Sequence, residues 1–149
     1  MSIISEKMPL LTRHAGTWAG TYRFITPKME LIDQYDFRIN AVFPDDGKGG
    51  ITYRQESFYT WADGRTRDLV FEGTYANGLV TFEGRISGWI KELNDRTLNM
   101  RFWFADQPGV DVLEAIHLAK NNKDRGRTWN WFKDEKLFQV TLVDERRVA

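Results

Sequence analysis

Arginine and tryptophan recur at alternate positions in two segments of the chain. Arg101 is followed by Trp103, and Arg127 is followed by Trp129 and Trp131. Residues two apart lie on one face of a β-strand, so each arginine would share a face with indole rings. If that face points into the protein, the guanidinium could hold a ligand carboxylate or phenolate through paired hydrogen bonds. If it points outward, the same residues would form ordinary cross-strand pairs.

The intervening residues distinguish the two segments. Around Arg101 they are apolar, which favours a core position for them and the surface for Arg101. Around Arg127 they are mostly polar, so the direction of Arg127 stays open. The intervening residues are Met100, Phe102 and Phe104 in the first segment and Thr128, Asn130 and Phe132 in the second.

Segment 51–61 combines aromatic rings with hydrogen-bonding groups on one of its two faces. That face carries Tyr53, Gln55, Ser57, Tyr59 and Trp61. The mixture suits the wall of a binding pocket. It also suits an outer face built from residues with high β-propensity, and the alternation leaves both interpretations open.

Glu114 is the candidate for acid–base chemistry, because it lies in the largely apolar stretch from Val112 to Leu118. Burial among apolar side chains would raise its pKa, as a general acid or base near neutral pH requires. A catalytic set would combine Glu114 and Arg127 with a tyrosine, either Tyr53 or one of Tyr22 and Tyr59. The alternative is an ordinary exposed carboxylate in a strand.

The chain has two histidines and no cysteine. His14 would end an N-terminal helix, where an imidazolium stabilises the helix C-terminus. His117 has apolar neighbours, so we expect it to be partly buried; it is the one candidate for a haem ligand or a histidine acid–base group, although a structural role is more common. We predict no metal site and no cofactor, since dedicated zinc sites draw on cysteine and histidine.

Elements that would position these residues follow from periodicity and turn chemistry. A short amphipathic helix is predicted over 2–14, with a stop at Gly16. Within segment 31–43 apolar and polar residues lie on different faces, which predicts a half-buried strand. The apolar face carries Tyr35, Phe37, Ile39, Ala41 and Phe43, and the polar face carries Gln34, Asp36, Arg38 and Asn40. Asn77-Gly78 between two aromatic-rich runs predicts a tight hairpin. Including flanking strands at 17–26 and 137–148, about nine strands are expected, joined by short loops.

So many sequential strands must deal with their exposed edges, and closure into an up-and-down barrel removes them. We therefore predict an all-β protein, a single antiparallel barrel of about 8–10 strands with a short N-terminal helix, spanning 1–149 as one domain. A sandwich is the alternative, but the uniformly short connections leave no room for the crossover that it needs.

Composition excludes several classes of partner. Lys and Arg total 21, as do Asp and Glu, so no strong field would attract nucleic acid. The first nine residues lack the apolar run of a secretory signal, and no stretch is long enough to span a bilayer. We expect a cytoplasmic protein with a small-molecule ligand and no membrane partner; a homodimer is compatible with the sequence.

Gly16-Thr17-Trp18, at the start of the first strand just after a short helix, resembles the N-terminal signature of lipocalins and their calycin relatives. In that superfamily the tryptophan closes one barrel end beneath the helix, often with an arginine from the last strands stacked on it. The resemblance implies this role for Trp18, with Arg127, Arg146 and Arg147 as candidate arginines.

Segments 18–30, 127–132 and 137–142 look like a bacterial family of uncharacterised, lipocalin-like domains. The disulfide and C-terminal helix usual in secreted lipocalins are missing, so the resemblance is greatest to small cytosolic barrels. These include haem-binding nitrobindins and cofactor-free enzymes such as phenolic acid decarboxylases.

The leading hypothesis is a barrel that binds a small hydrophobic or aromatic metabolite in its interior. The first alternative is a cofactor-independent isomerase, cyclase or lyase acting on such a metabolite, and the second is a haem-binding, nitrobindin-like protein using His117. The candidate ligand-binding residues are Trp18, Tyr22, Tyr53, Tyr59, Trp61, Arg101, Trp103, His117, Arg127, Trp129 and Trp131.

Overall fold

The computed structural model describes residues 3–44 and 50–149, which form two short helices followed by ten strands. The elements are α1 (Ile3–Lys7), α2 (Pro9–Thr12), β1 (Gly16–Ile25), β2 (Leu31–Val42), β3 (Tyr53–Thr60), β4 (Thr66–Ala76), β5 (Leu79–Phe82), β6 (Ile86–Glu92), β7 (Thr97–Phe104), β8 (Val110–Leu118), β9 (Asp124–Lys133) and β10 (Lys136–Arg147). The sequence Pro44-Asp45-Asp46-Gly47 also predicts a turn, and most of it lies outside the described residues.

The N-terminal region is two helices rather than the predicted single one. Met8 interrupts them with φ −135°, and Pro9 begins α2. Proline disfavours the helical conformation of the residue before it and lacks the N–H that a continuing helix needs. Leu10 and Leu11 of α2 are buried beneath the barrel.

Each strand pairs antiparallel with its neighbour in sequence, and β1 pairs with β10 to close the barrel. The all-β fold and the up-and-down barrel are therefore confirmed, and the sandwich alternative is wrong. Asn77 and Gly78 have φ of 53° and 85°, as the predicted tight hairpin requires. In β2, Phe37, Ile39 and Ala41 are buried, which confirms the predicted inner face.

Trp18 seals the barrel end that the helices cover. Its side chain is fully buried, and its indole N–H donates to the carbonyl of His14 at 3.0 Å. The guanidinium carbons of Arg125 and Arg147 lie 4.3 and 4.5 Å from the indole centroid. The stacking expected from the lipocalin resemblance is thus present for Arg147, whereas Arg125 was not among the candidates and Arg127 and Arg146 lie elsewhere.

The opposite barrel end is open beside β4, because β5 is only four residues long. After β5 the chain turns away from β4 at Gly84. This residue has φ 124°, and its N–H donates to Ser87 Oγ at 3.3 Å. Residues 66–73 of β4 pair with β3 on one side, but β5 pairs only with residues 74–76 on the other. Within the described chain, the upper part of β4 therefore borders a gap in the wall.

No helix in residues 3–44 and 50–149 is long and apolar enough to cross a membrane.

Candidate functional site

The barrel interior has an ionic wall and an apolar wall. Inward positions of β8, β9 and β10 place Glu114, Arg125, Arg127 and Glu145 side by side, all buried. Below the barrel opening, the facing wall from β4 to β7 is hydrocarbon. Its inward side chains include Leu69, Phe71, Phe82, Ile86, Ile90, Leu98, Met100 and Phe102.

Glu145 is the counter-ion that the two buried arginines share. Its Oε1 accepts from Arg125 Nη2 at 2.7 Å, and its Oε2 accepts from Arg127 Nε at 2.8 Å. Although burial opposes ionisation of this carboxyl, Arg127 and Arg125 together hold its pKa below the usual range. The Glu145 side chain is therefore an anion fixed between two cations.

Glu114 faces the cavity, and its pKa is shifted in the opposite direction to that of Glu145. Its Oε2 accepts from Trp129 Nε1 at 2.5 Å and from Arg127 Nη1 at 3.3 Å. Burial nevertheless dominates and raises the pKa of Glu114 above the ordinary range. Two carboxyls on one wall are thus held at different proton affinities, an arrangement that separates acid–base roles in active sites.

Tyr22, rather than Tyr53, completes the arginine cluster. The Tyr22 hydroxyl oxygen accepts from Arg127 Nη2 at 2.6 Å, and burial raises the pKa of this phenol well above 10. Tyr53 instead donates to Gln55 Oε1 at 2.6 Å, and Gln55 Nε2 donates to Ser57 Oγ at 3.1 Å. The predicted set of Glu114, Arg127 and Tyr53 therefore shares the interior, but the tyrosine that contacts Arg127 is Tyr22.

A cavity runs between the two walls from the helical end upward. The empty space among its lining residues amounts to about 660 Å³, including the part open to solvent. Tyr53, Tyr59 and Gln55 line it from β3, so the mixed aromatic and polar face of segment 51–61 points inward. The alternative, that this face lies on the outside of the barrel, is therefore wrong.

The cavity continues into a wider opening, where the empty space amounts to about 1000 Å³ including open solvent. Five side chains line both spaces and mark the passage between them: Tyr59, Leu69, Ile86, Phe102 and Trp129. Trp61 and Trp131 lie at the opening, where Trp61 Nε1 donates to Asp33 at 3.2 Å. Arg67 and Arg85 also line this opening.

Three candidate residues lie on the outer surface, away from the cavity. Arg101 forms an exposed ion pair with Asp111 at 2.7 Å, and Trp103 is 44% exposed. His117 is exposed and bonded to Thr97 Oγ1 at 2.9 Å, so the expectation of partial burial was wrong. His117 cannot ligate a haem inside the barrel, because β8 turns Glu114 inward and His117 outward.

Trp18 also does not line the cavity, since it is packed into the closed end. In the described part of the chain no group of three or more His, Asp or Glu side chains is arranged to hold a metal ion.

Comparison with known proteins identifies the fold. No family model matches the chain, and no curated protein sequence matches it. The S-type phycobiliprotein lyase CPES from Guillardia theta is 12% identical and superposes with a TM-score of 0.74, over 100% of this chain and 94% of that one.

Two further solved structures are similar. A protein of unknown function from the DUF3598 family of Nostoc punctiforme PCC 73102 is 20% identical, with a TM-score of 0.69 over 93% of this chain. This chain spans about half of that protein, 49% of its length. EF1p2_mFAP2b bound to DFHBI is 13% identical, with a TM-score of 0.50 over 93% of this chain and 96% of that one.

These neighbours and the closed ten-strand arrangement of the described strands show that the chain has a β-barrel fold.

Sequence reasoning missed two members of the ionic wall, Arg125 and Glu145, and also His14, which is bonded to Arg125. Arg125 shares the inward alternation with Arg127, so this signal was available. Glu145 is two residues from Val143 in the same strand, so alternation places both on one face. That face is the inner one, because Val143 is buried. His14 was expected to be a charged helix cap. Its Nδ1 instead accepts from Arg125 Nη1 at 2.9 Å, which requires a neutral ring because an arginine only donates.

Proposed function

We propose that this protein binds a small hydrophobic or aromatic molecule in the barrel interior. The observation that carries the proposal is the aromatic-lined cavity that joins the wider opening through the passage at Leu69. Ligand sites are concave and mostly apolar, with a few polar groups that fix orientation, and here Glu114 and Gln55 supply such groups. The phycobiliprotein lyase and the DFHBI-bound barrel support small-molecule binding in a barrel of this kind.

A substitution in the passage tests the proposal. Leu69→Trp is expected to weaken binding of the neutral fluorescent probe N-phenyl-1-naphthylamine by roughly tenfold or more, about 1.4 kcal/mol, because the indole would fill the passage. The change is measured by fluorescence titration. Val70→Trp is the matched control, because the adjacent Val70 points outward and is 48% exposed. Equal affinities for the two variants, or no uptake of the probe by the parent protein, would contradict the proposal.

A second candidate is a cofactor-independent enzyme that transfers a proton within such a molecule. It is favoured by Glu114, whose raised pKa makes its carboxylate a stronger base and whose Oε2 lies 3.3 Å from Arg127 Nη1. In an isomerisation, Glu114 would take a proton from the carbon beside a carbonyl and return it to another carbon. Arg127 or Tyr22 would stabilise the enolate oxygen, and no other reactant is needed.

Deuterium exchange separates this enzyme from a simple binding protein. In D₂O, the parent protein is expected to accelerate exchange of the protons beside the carbonyl in at least one of a panel of aryl ketones, followed by proton NMR. Glu114→Gln should lower that rate about 100-fold or more, the usual scale of general acid–base catalysis, while the variant still takes up N-phenyl-1-naphthylamine. If the ketones bind but the protons beside their carbonyl groups do not exchange, the enzyme proposal is wrong and binding remains the proposed function.

A further inference from the structure

The barrel opening carries two arginines that no described carboxylate neutralises. Arg67 lies on the inward alternation of β4 with Leu69 and Phe71, opposite inward Tyr59 in the β3–β4 register. Arg85 precedes β6, across the gap left by short β5. Neither forms an ion pair within residues 3–44 and 50–149, and both line the opening.

The two acids at the opening do not occupy these arginines. Asp33 is bonded to the Trp61 indole N–H through both carboxylate oxygens, at 3.2 and 3.3 Å. Asp106 lines the same space and is also outside ion-pair distance of Arg67 and Arg85 in the described structure. The guanidinium donors at the opening therefore remain available to an external acceptor.

Deeper in the barrel, the cations already have partners. Glu145 bonds both Arg125 and Arg127, and Glu114 bonds Arg127 as well. An anionic group placed there would compete with two carboxylates, and the facing wall is hydrocarbon. The apolar part of a ligand thus belongs in the interior, and an anionic part belongs at the opening, where water also solvates it.

We propose that Arg67 and Arg85 hold the anionic group of an amphipathic organic acid whose aromatic or aliphatic body lies in the barrel. The inference rests on the proposed binding function and adds the ligand class and its orientation. Arginine suits the role because its planar donors match a carboxylate or sulfonate in paired, charge-assisted hydrogen bonds.

Two probes that differ by one anionic group test this assignment. They are 8-anilinonaphthalene-1-sulfonate and the neutral N-phenyl-1-naphthylamine, which has the same ring system without the sulfonate. The double variant Arg67→Gln/Arg85→Gln is expected to bind the sulfonate about tenfold or more weakly, the scale of a lost charge-assisted hydrogen bond. Its affinity for the neutral probe should stay within about twofold.

Arg38→Gln is the matched control, because Arg38 is an exposed arginine on the outward alternation of β2 with no ion pair among the described residues. It removes one exposed arginine charge, where the double variant removes two, and should leave both affinities unchanged. Equal loss of sulfonate binding in Arg38→Gln, or none in the double variant, would overturn the assignment while binding of the neutral probe keeps the proposed function intact. Failure of the parent protein to bind the neutral probe would instead refute the proposed function.

Discussion

Replacing Glu145 with glutamine is expected to lower the free energy of unfolding by about 3–5 kcal/mol at pH 7, the cost of breaking a buried ion pair from one side. The variant keeps the shape of the side chain but leaves Arg125 and Arg127 with a single carboxylate nearby, that of Glu114, to which Arg127 donates and Arg125 does not. Both arginine side chains are only 6% exposed, so water cannot replace the lost charge. Urea unfolding followed by tryptophan fluorescence measures the change.

Asp144→Asn is the matched control for this prediction. Asp144 is the preceding residue, points outward at 73% exposure, and pairs with Arg23 at 2.7 Å. An exposed pair contributes about 0–1 kcal/mol, so this variant should remain close to the parent protein. A loss in Glu145→Gln no larger than that in Asp144→Asn would show that the ionic wall does not hold the barrel together.

The cost of Glu145→Gln should also depend on pH. The folded protein holds the pKa of Glu145 below its ordinary value of 4.5. A depressed carboxyl pKa stabilises the fold fully above the unfolded value and loses that contribution as pH falls through the folded value. The difference between the two proteins should therefore be constant above about pH 5 and shrink below pH 4.5.

Local patterns were sufficient to predict the strands, the hairpin and closure of the barrel. The alternation in β2 and the Asn77-Gly78 turn depend on neighbouring residues alone, and the structure follows both. The placement of Glu114 and His117 on opposite faces was also implied, since they are three residues apart in a strand, although which of them points inward was not. The apolar neighbours that suggested burial of His117 belong to both faces of β8, because outward Leu113 is 46% exposed.

The ionic wall could not be predicted in the same way, because its contacts join residues far apart in sequence. Arg125 and Glu145 become neighbours through the register of β9 with β10, and His14 reaches Arg125 across 111 residues. Alternation shows which side chains point inward, but not which of them meet. The opening is a similar case. The sequence predicted the run at 79–82, but the gap depends on where the chain after β5 stops pairing with β4.

Replacing His14 with asparagine is expected to reduce the fall in the free energy of unfolding that mild acidification causes. Burial first, and the charges of Arg125, Arg147, Arg127 and Arg13 next, lower the pKa of His14 from 6.5 to about 2. The folded protein thus keeps this ring neutral, whereas the unfolded chain takes up a proton below pH 6.5. The parent protein should lose stability as pH falls below 6.5, at up to about 1.4 kcal/mol per pH unit.

The measurement is urea unfolding of the parent protein, His14→Asn and His117→Asn between pH 7 and pH 5. That range lies above the ordinary pKa of the carboxyl groups, and the rise in stability from protonation of Glu114, whose folded pKa is raised, is common to all three proteins. About 2 kcal/mol of the parent's stability should disappear between pH 6.5 and 5, and His14→Asn should lack this slope whatever its absolute stability.

The exposed His117 serves as control, since its replacement should keep the parent slope. Parallel curves for the parent and His14→Asn would mean that the buried ring is protonated in the folded state, which the hydrogen bond from Arg125 forbids.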